Sequence, residues 1–238
     1  METEMHDQHS QASCAEVVIA CEVMKVELEL VSQGRDVRFF FLEQGLHRTP
    51  KKIAPLIQEE IDLVGESAER IVIAYGLCSN GIKGISGRTQ ELVIPRIHDC
   101  IAMFMGSCEA YKEAFQSNPA TYYLTPGWVA AKKDPLGIIY DDYAPKHGLE
   151  TALWVMEEEL KHYKSITLIN TGAGDIESLR ARARENCTEL GKTYREIPGS
   201  LDYFRRLMFG PHASEDFLVI PAGVEVTEEM FLPDGEAC

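Results

Sequence analysis

Apolar positions recur in two alternating patterns along this chain. Short, nearly unbroken apolar runs, rich in β-branched or aromatic residues, occupy 16–21 (EVVIAC), 36–42 (DVRFFFL), 70–76 (RIVIAYG), 91–96 (ELVIPR), 120–125 (ATYYLT), 165–170 (SITLIN), 193–198 (TYREIP) and 217–223 (FLVIPAG). Such runs read as strands covered on both faces. Between them the spacing changes to three and four residues. Ile53, Leu56, Ile57, Ile61 and Val64 form one such stripe, preceded by Thr49-Pro50, which reads as an N-cap with proline in the first turn. Leu149, Leu153, Met156, Leu160 and Tyr163 form another, and Asp175 caps a third that runs to about Leu190. Helices are also expected from His98 through Phe104, from Ser107 to Gln116, and from Ser200 to Phe209.

Strand–helix alternation of this kind predicts a three-layer α/β fold, Rossmann-like, with a mostly parallel sheet between two helix layers. No repeat or linker divides the chain, so residues 15–238 read as one domain behind a flexible tail over 1–14. The segment 129–147, with Pro135, Gly137, Pro145 and several charges, reads as an irregular, lid-like excursion.

Composition narrows the functional classes. The chain has 238 residues, of which 45% are hydrophobic, enough for a substantial core. A net charge of −15 argues against nucleic-acid or anionic-membrane binding, both of which need basic patches. No run approaches a membrane span, and the polar, acidic start METEMHDQHSQASC lacks the basic and apolar regions of a secretory signal. A cytoplasmic protein is therefore expected. Seven cysteines in that setting favour reduced thiols. Cys14 and Cys238 fall in tails, while Cys108 and Cys187 join helical apolar stripes as small packing residues.

The remaining three are set apart by position. Cys21, Cys78 and Cys100 each follow the carboxyl end of a different predicted strand. In a parallel sheet these ends lie along one edge, where such folds bind ligands. His98 and Asp99 stand beside Cys100. Three thiolates with an open fourth position suit a catalytic zinc, with either His98 or His47 able to replace one of them. The same three can hold a [4Fe–4S] cluster whose fourth iron is free. In this reading Cys21, Cys78, Cys100 and His98 are the metal ligands, and His98 and Asp99 are the catalytic pair, the carboxylate orienting the imidazole. Other polar or aromatic residues near strand exits, His47, Tyr75, Asn80, Arg96, Thr125 and Trp128, are expected to line the substrate pocket.

Other chemistries fit less well. The glycines at 76, 81, 84 and 87 match neither a dinucleotide fingerprint nor a P-loop. Thr171-Gly172-Ala173-Gly174 before a helix reads as an ordinary turn, with anion binding as the alternative. A metal-free Cys78 nucleophile with His98 as its base is conceivable, and so are purely structural cysteines.

The strings IAYGLCSNGI (73–82), LVIPRIHDCIAMFMGS (92–107) and TYYLTPGW (121–128), with Leu46-His47, resemble the DUF1638 family over most of residues 16–223. That resemblance sets Cys78, His98, Asp99, Cys100 and Trp128 within family-typical motifs. It implies an association with corrinoid-dependent methyltransferase systems, and it assigns no reaction. The expectation is thus a zinc–thiolate enzyme acting on a small molecule, with alkyl or methyl transfer in a corrinoid-linked system as the candidate reaction. The alternatives are an iron–sulfur lyase or redox enzyme, and a non-catalytic accessory protein that holds a metal or corrinoid, or docks a methyltransferase protein.

Overall fold

A computed structural model describes residues 16–213 and 215–232. The expected tail over 1–14 and the cysteines at 14 and 238 lie outside the described residues. Among the described residues eight strands and ten α-helices follow one another. They are β1 (Glu16–Cys21), α1 (Lys25–Val31), β2 (Val37–Leu42), α2 (Ile53–Val64), β3 (Arg70–Ala74) and β4 (Glu91–Pro95), then α3 (Ile101–Met105), α4 (Cys108–Ser117), β5 (Thr121–Leu124) and α5 (Pro126–Ala130). After them come α6 (Pro135–Gly137), α7 (Ala144–His147), α8 (Leu149–Leu160), β6 (Ser165–Asn170), α9 (Ile176–Glu189), β7 (Thr193–Pro198), α10 (Asp202–Phe209) and β8 (Phe217–Ile220).

The strands form two sheets rather than the single one the sequence suggested. The larger has the order β2-β1-β3-β4-β8 and the smaller β5-β6-β7. All pairings are parallel except β4 with β8, which is antiparallel. From β1 the chain steps outward to β2 through α1 and returns past β1 to β3 through α2. Right-handed crossovers in opposite directions put the two helices on opposite faces. The result is a three-layer, Rossmann-like α/β fold.

Burial explains why the apolar runs are unbroken. Val17–Cys21, Ile71–Ala74 and Leu92–Ile94 are all fully buried, as expected of strands covered on both sides. One continuous core joins them to Phe104, Phe204 and Met208, and to Ile166, Leu168 and Ile169 of the second sheet. The two sheets therefore share a core.

The segment 129–147 corrects the expectation of an irregular excursion. It is largely helical, running through α6, a π-helical stretch over Ile138–Tyr143 and α7. Leu136, Ile138 and Ile139 pack with Ala152, Met156 and Leu160 of α8 into a second, smaller core. Buried Asp134 fixes its start by accepting from Arg182 Nε at 2.9 Å and Asn186 Nδ2 at 2.7 Å. Prolines at helix starts do not interrupt helices, which is why Pro135 misled the reading.

Two cysteine expectations separate here. Cys187 is a buried free thiol on α9, as its stripe suggested. Cys108, at the start of α4, is disulfide-bonded, which corrects its reading as a reduced packing residue.

Candidate functional site

The order β2-β1-β3-β4 reverses direction between β1 and β3, and in open α/β sheets ligands bind outside the strand ends at such a switch point. Cys21 is the last residue of β1, and Cys78 follows β3 by four residues. The loops leaving β3 and β4 are tied together by backbone hydrogen bonds, Leu77 N to Ile97 O at 2.9 Å and Cys78 N to His98 O at 3.1 Å. Gly76 makes this approach possible, because a Cβ there would stand 3.0 Å from Ile97 O and 3.1 Å from His98 O. Cys78 is thus pinned beside His98, and Cys100 begins the turn into α3.

Cys78, Ser79 and Asn80 have φ of 48°, 57° and 64°. Three consecutive L-residues in the left-handed region are costly, at about 1–2 kcal/mol each. The turn closes with Gly81 N donating to Leu77 O at 2.8 Å. Strain of this kind concentrates at functional sites.

Cys21, Cys78 and Cys100 are free thiols. Each acts electrostatically on the buried Tyr75 hydroxyl, and Cys78 and Cys100 are further affected by their sulfur neighbours. Burial pushes the Cys21 thiol up to about 12, with the Val23 amide opposing and Glu22 adding to the shift. Burial likewise raises Cys78 and Cys100 above the ordinary thiol range, with Asp99 adding to both, Cys21 to Cys78, and Cys78 and Cys21 to Cys100. These thiols stay protonated unless a cation joins them. Among the described residues, no three His, Cys, Asp or Glu side chains already stand in metal-holding geometry. The donor set fits a thiophilic metal in kind, as three sulfurs and an imidazole. Two buried atoms around it lack a hydrogen-bond partner among the described residues, His98 Nε2 and Gln44 Oε1, while the Tyr75 hydroxyl meets the Cys21 thiol. Buried polar atoms without partners are rare, and each asks for an occupant.

Above the thiols opens a cleft of about 680 Å³. Of the expected residues, His47, Cys78, His98, Asp99, Cys100 and Trp128 line it. Cys21 and Tyr75 do not line it and are buried. His47 stacks on the Tyr75 ring, 6.2 Å between centroids, and burial lowers its pKa against the pull of Asp99, favouring the neutral ring.

The other three expected pocket residues stand elsewhere. Asn80 Nδ2 donates to Glu228 Oε2 at 3.2 Å. Arg96 lies towards Asp216 and Tyr203, its amide donating to Asp216 O at 2.7 Å. Thr125 is fully buried and caps α5, its hydroxyl accepting from Trp128 N at 3.3 Å. Asp99 is not the orienter of His98. Its carboxylate accepts from Ile101 N at 2.9 Å at the start of α3 and from the Tyr111 hydroxyl and the Cys100 thiol, and no hydrogen bond is found between it and the His98 ring.

The string TPGW now has a local explanation. Thr125 caps the helix and Pro126 opens it. Gly127 lets α5 press onto the turn after β1, where a Cβ would overlap the Val23 carbonyl. Trp128 then reaches the cleft, edge-on to Phe104 with centroids 5.9 Å apart.

The sequence reading missed most of the cleft wall. Tyr111, Tyr122, Tyr123 and Tyr163 line it, as do Phe115 and Gln44. Tyr111 and Phe115 share a helix face and read as core, and Tyr163 reads as the end of the α8 stripe. The signal available was the adjacent pair Tyr122-Tyr123 on β5, which is an edge strand.

A family model described as a protein of unknown function, DUF1638, matches residues 41–208. The chain belongs to the DUF1638 family. The match takes in Cys78, His98, Asp99, Cys100 and Trp128, and is narrower than the 16–223 first suggested, so Cys21 precedes it. No curated protein and no solved structure matches the chain. Among the described residues no helix is long and apolar enough to cross a membrane.

Proposed function

We propose that this DUF1638 protein is a metal-dependent enzyme, in which Cys21, Cys78 and Cys100, with His98, hold a thiophilic metal beneath the cleft. One observation carries the reading: three free, largely desolvated thiols from three strand ends act on one another at the sheet's switch point. Without a cation such thiols are poor nucleophiles, which disfavours a metal-free cysteine enzyme. Zinc is the favoured ion, and when bound it supplies Lewis-acid activation of a substrate thiol or water.

The chain's own groups do the remaining work. The unpartnered His98 Nε2 holds or passes a proton at the cleft floor. Trp128 and neutral His47 narrow the cleft and exclude water from the sulfurs. Alkyl transfer is the favoured reaction class, because a thiolate-rich metal site suits activation of a substrate thiol. A corrinoid or methyltransferase protein is the corresponding partner, in the cytoplasm.

Anaerobic purification followed by metal and acid-labile sulfide analysis tests the proposal. About one zinc per chain without sulfide is the expected result. Four irons with sulfide and a brown absorbance would replace zinc with a cluster on the same thiols. Neither metal, even after incubation with zinc, would refute the proposal.

A further inference from the structure

The cleft wall is aromatic, and its charge is one-sided. Tyr111, Tyr122, Tyr123, Trp128, Tyr163 and Phe115 all line it, and among the described residues no lysine or arginine does. Rings meet at edges here: Tyr111 with Tyr123 at 6.5 Å and Tyr122 with Tyr163 at 5.7 Å between centroids. The phenols stay neutral, since burial raises Tyr111 to about 12 and also raises Tyr122 and Tyr123.

Asp99 is the one carboxylate in the wall among the described residues. Its field is felt by Tyr111, Tyr123, His47, Cys78 and Cys100, so it faces the cleft. Among the described residues no ion pair satisfies it, its hydrogen bonds coming from neutral groups: the Ile101 amide, the Tyr111 hydroxyl and the Cys100 thiol. Arg48, the nearest cation acting on Tyr122, is engaged outside the wall by Glu159 at 3.7 Å and stacks on Tyr143 at 5.0 Å.

We propose that this cleft binds a small organic cation of the alkylated ammonium class, recognised by the aromatic faces and by the Asp99 carboxylate, which has no cationic partner among the described residues. Ring faces carry negative potential, and an alkylated ammonium keeps its charge diffuse and is easily stripped of water, so an aromatic wall selects it over a compact hydrated ion. The carboxylate sets it apart from a neutral molecule of the same shape. The volume of about 680 Å³ suits a small organic molecule. The inference names a substrate class for the site proposed above. A dication held by three thiolates stays anionic, so metal loading adds to the preference for a cation. The rings and Asp99 do not need the metal in order to bind.

Calorimetric titration with choline and its neutral carbon isostere, 3,3-dimethylbutan-1-ol, tests this on the full chain, both metal-free and zinc-loaded. Choline is expected to bind saturably in both forms, at least tenfold more tightly than the isostere. Asp99→Asn and Tyr123→Leu are each expected to weaken choline five- to tenfold and leave the isostere unchanged. Asp99→Asn keeps the side chain's shape and its carbonyl acceptor, so it reports even if Tyr123→Leu fails to fold. Equal affinities for the two probes, or no choline binding in either form, overturns the inference. Choline selectivity in a chain that takes up no metal leaves this inference standing and removes the metal reading. Metal uptake without choline selectivity does the reverse.

Discussion

At the residue scale, the proposed site rests on the three thiols and on the strained turn at Cys78. The turn makes a thermodynamic prediction. Ser79, at φ 57°, is a position that glycine adopts freely. Relief of about 1–2 kcal/mol of left-handed strain, offset by glycine's larger unfolded-state entropy, leaves Ser79→Gly more stable by about 0.5–1 kcal/mol. Urea unfolding measures this, and equal or lower stability would show that no strain is held there. A second prediction concerns Glu27, which is fully buried on α1, accepts from Thr171 Oγ1 at 3.1 Å and leaves Oε2 without a partner. Burial raises its pKa from 4.5 to about 8, so the folded chain holds a proton that the unfolded chain loses. Its contribution is complete below about pH 4.5 and is lost as pH rises towards 8, by up to about 1.4 kcal/mol per pH unit. Glu27→Gln is expected to remove that decline between pH 5 and 8, and an unchanged pH slope in the variant would contradict it. The cysteines and HDC were legible because thiols and imidazoles at strand exits have few structural reasons to cluster. The tyrosines were not, since an aromatic ring on a helix stripe or a strand reads as core until an open cleft lies beside it.

At the element scale, local pattern and tertiary demand sometimes diverged. Residues 25–31, KVELELV, alternate with period two like a strand and yet form α1, as packing against α5 and α10 overrides the pattern. The ends of β1, β3 and β4 are legible in the sequence, because unbroken apolar runs ended by polar residues mark covered strands. TPGW illustrates what sequence leaves out. It brings α5 onto the turn after β1 and places Trp128 in the cleft. Gly127 permits this, because an added Cβ would meet the rigid Val23 carbonyl. Gly127→Ala is therefore expected to cost about 3 kcal/mol. A thermal melt checks this, and an unchanged melting temperature would mean that α5 can move away without loss.

At the scale of the whole molecule, the fold class was readable and the sheet organisation was not. Alternating elements announce an α/β fold, but nothing in the runs tells β5, β6 and β7 to form a sheet of their own, or β8 to run antiparallel beside β4. Those choices follow from shared packing across the core. The 129–147 segment was misread for a related reason: its order comes from distant partners, above all Arg182 and Asn186 on Asp134. Asp134→Ala leaves these donors without their acceptor and is expected to destabilise the chain by about 3 kcal/mol, read by urea unfolding. The central claim is that sulfurs from three strand ends serve one metal. Metal stoichiometry in anaerobically prepared wild type and in Cys21→Ala, Cys78→Ala, Cys100→Ala and Cys187→Ala tests it most directly. The account predicts a sharp loss of metal in each of the first three and wild-type content in the fourth. Equal metal in all four variants would contradict it.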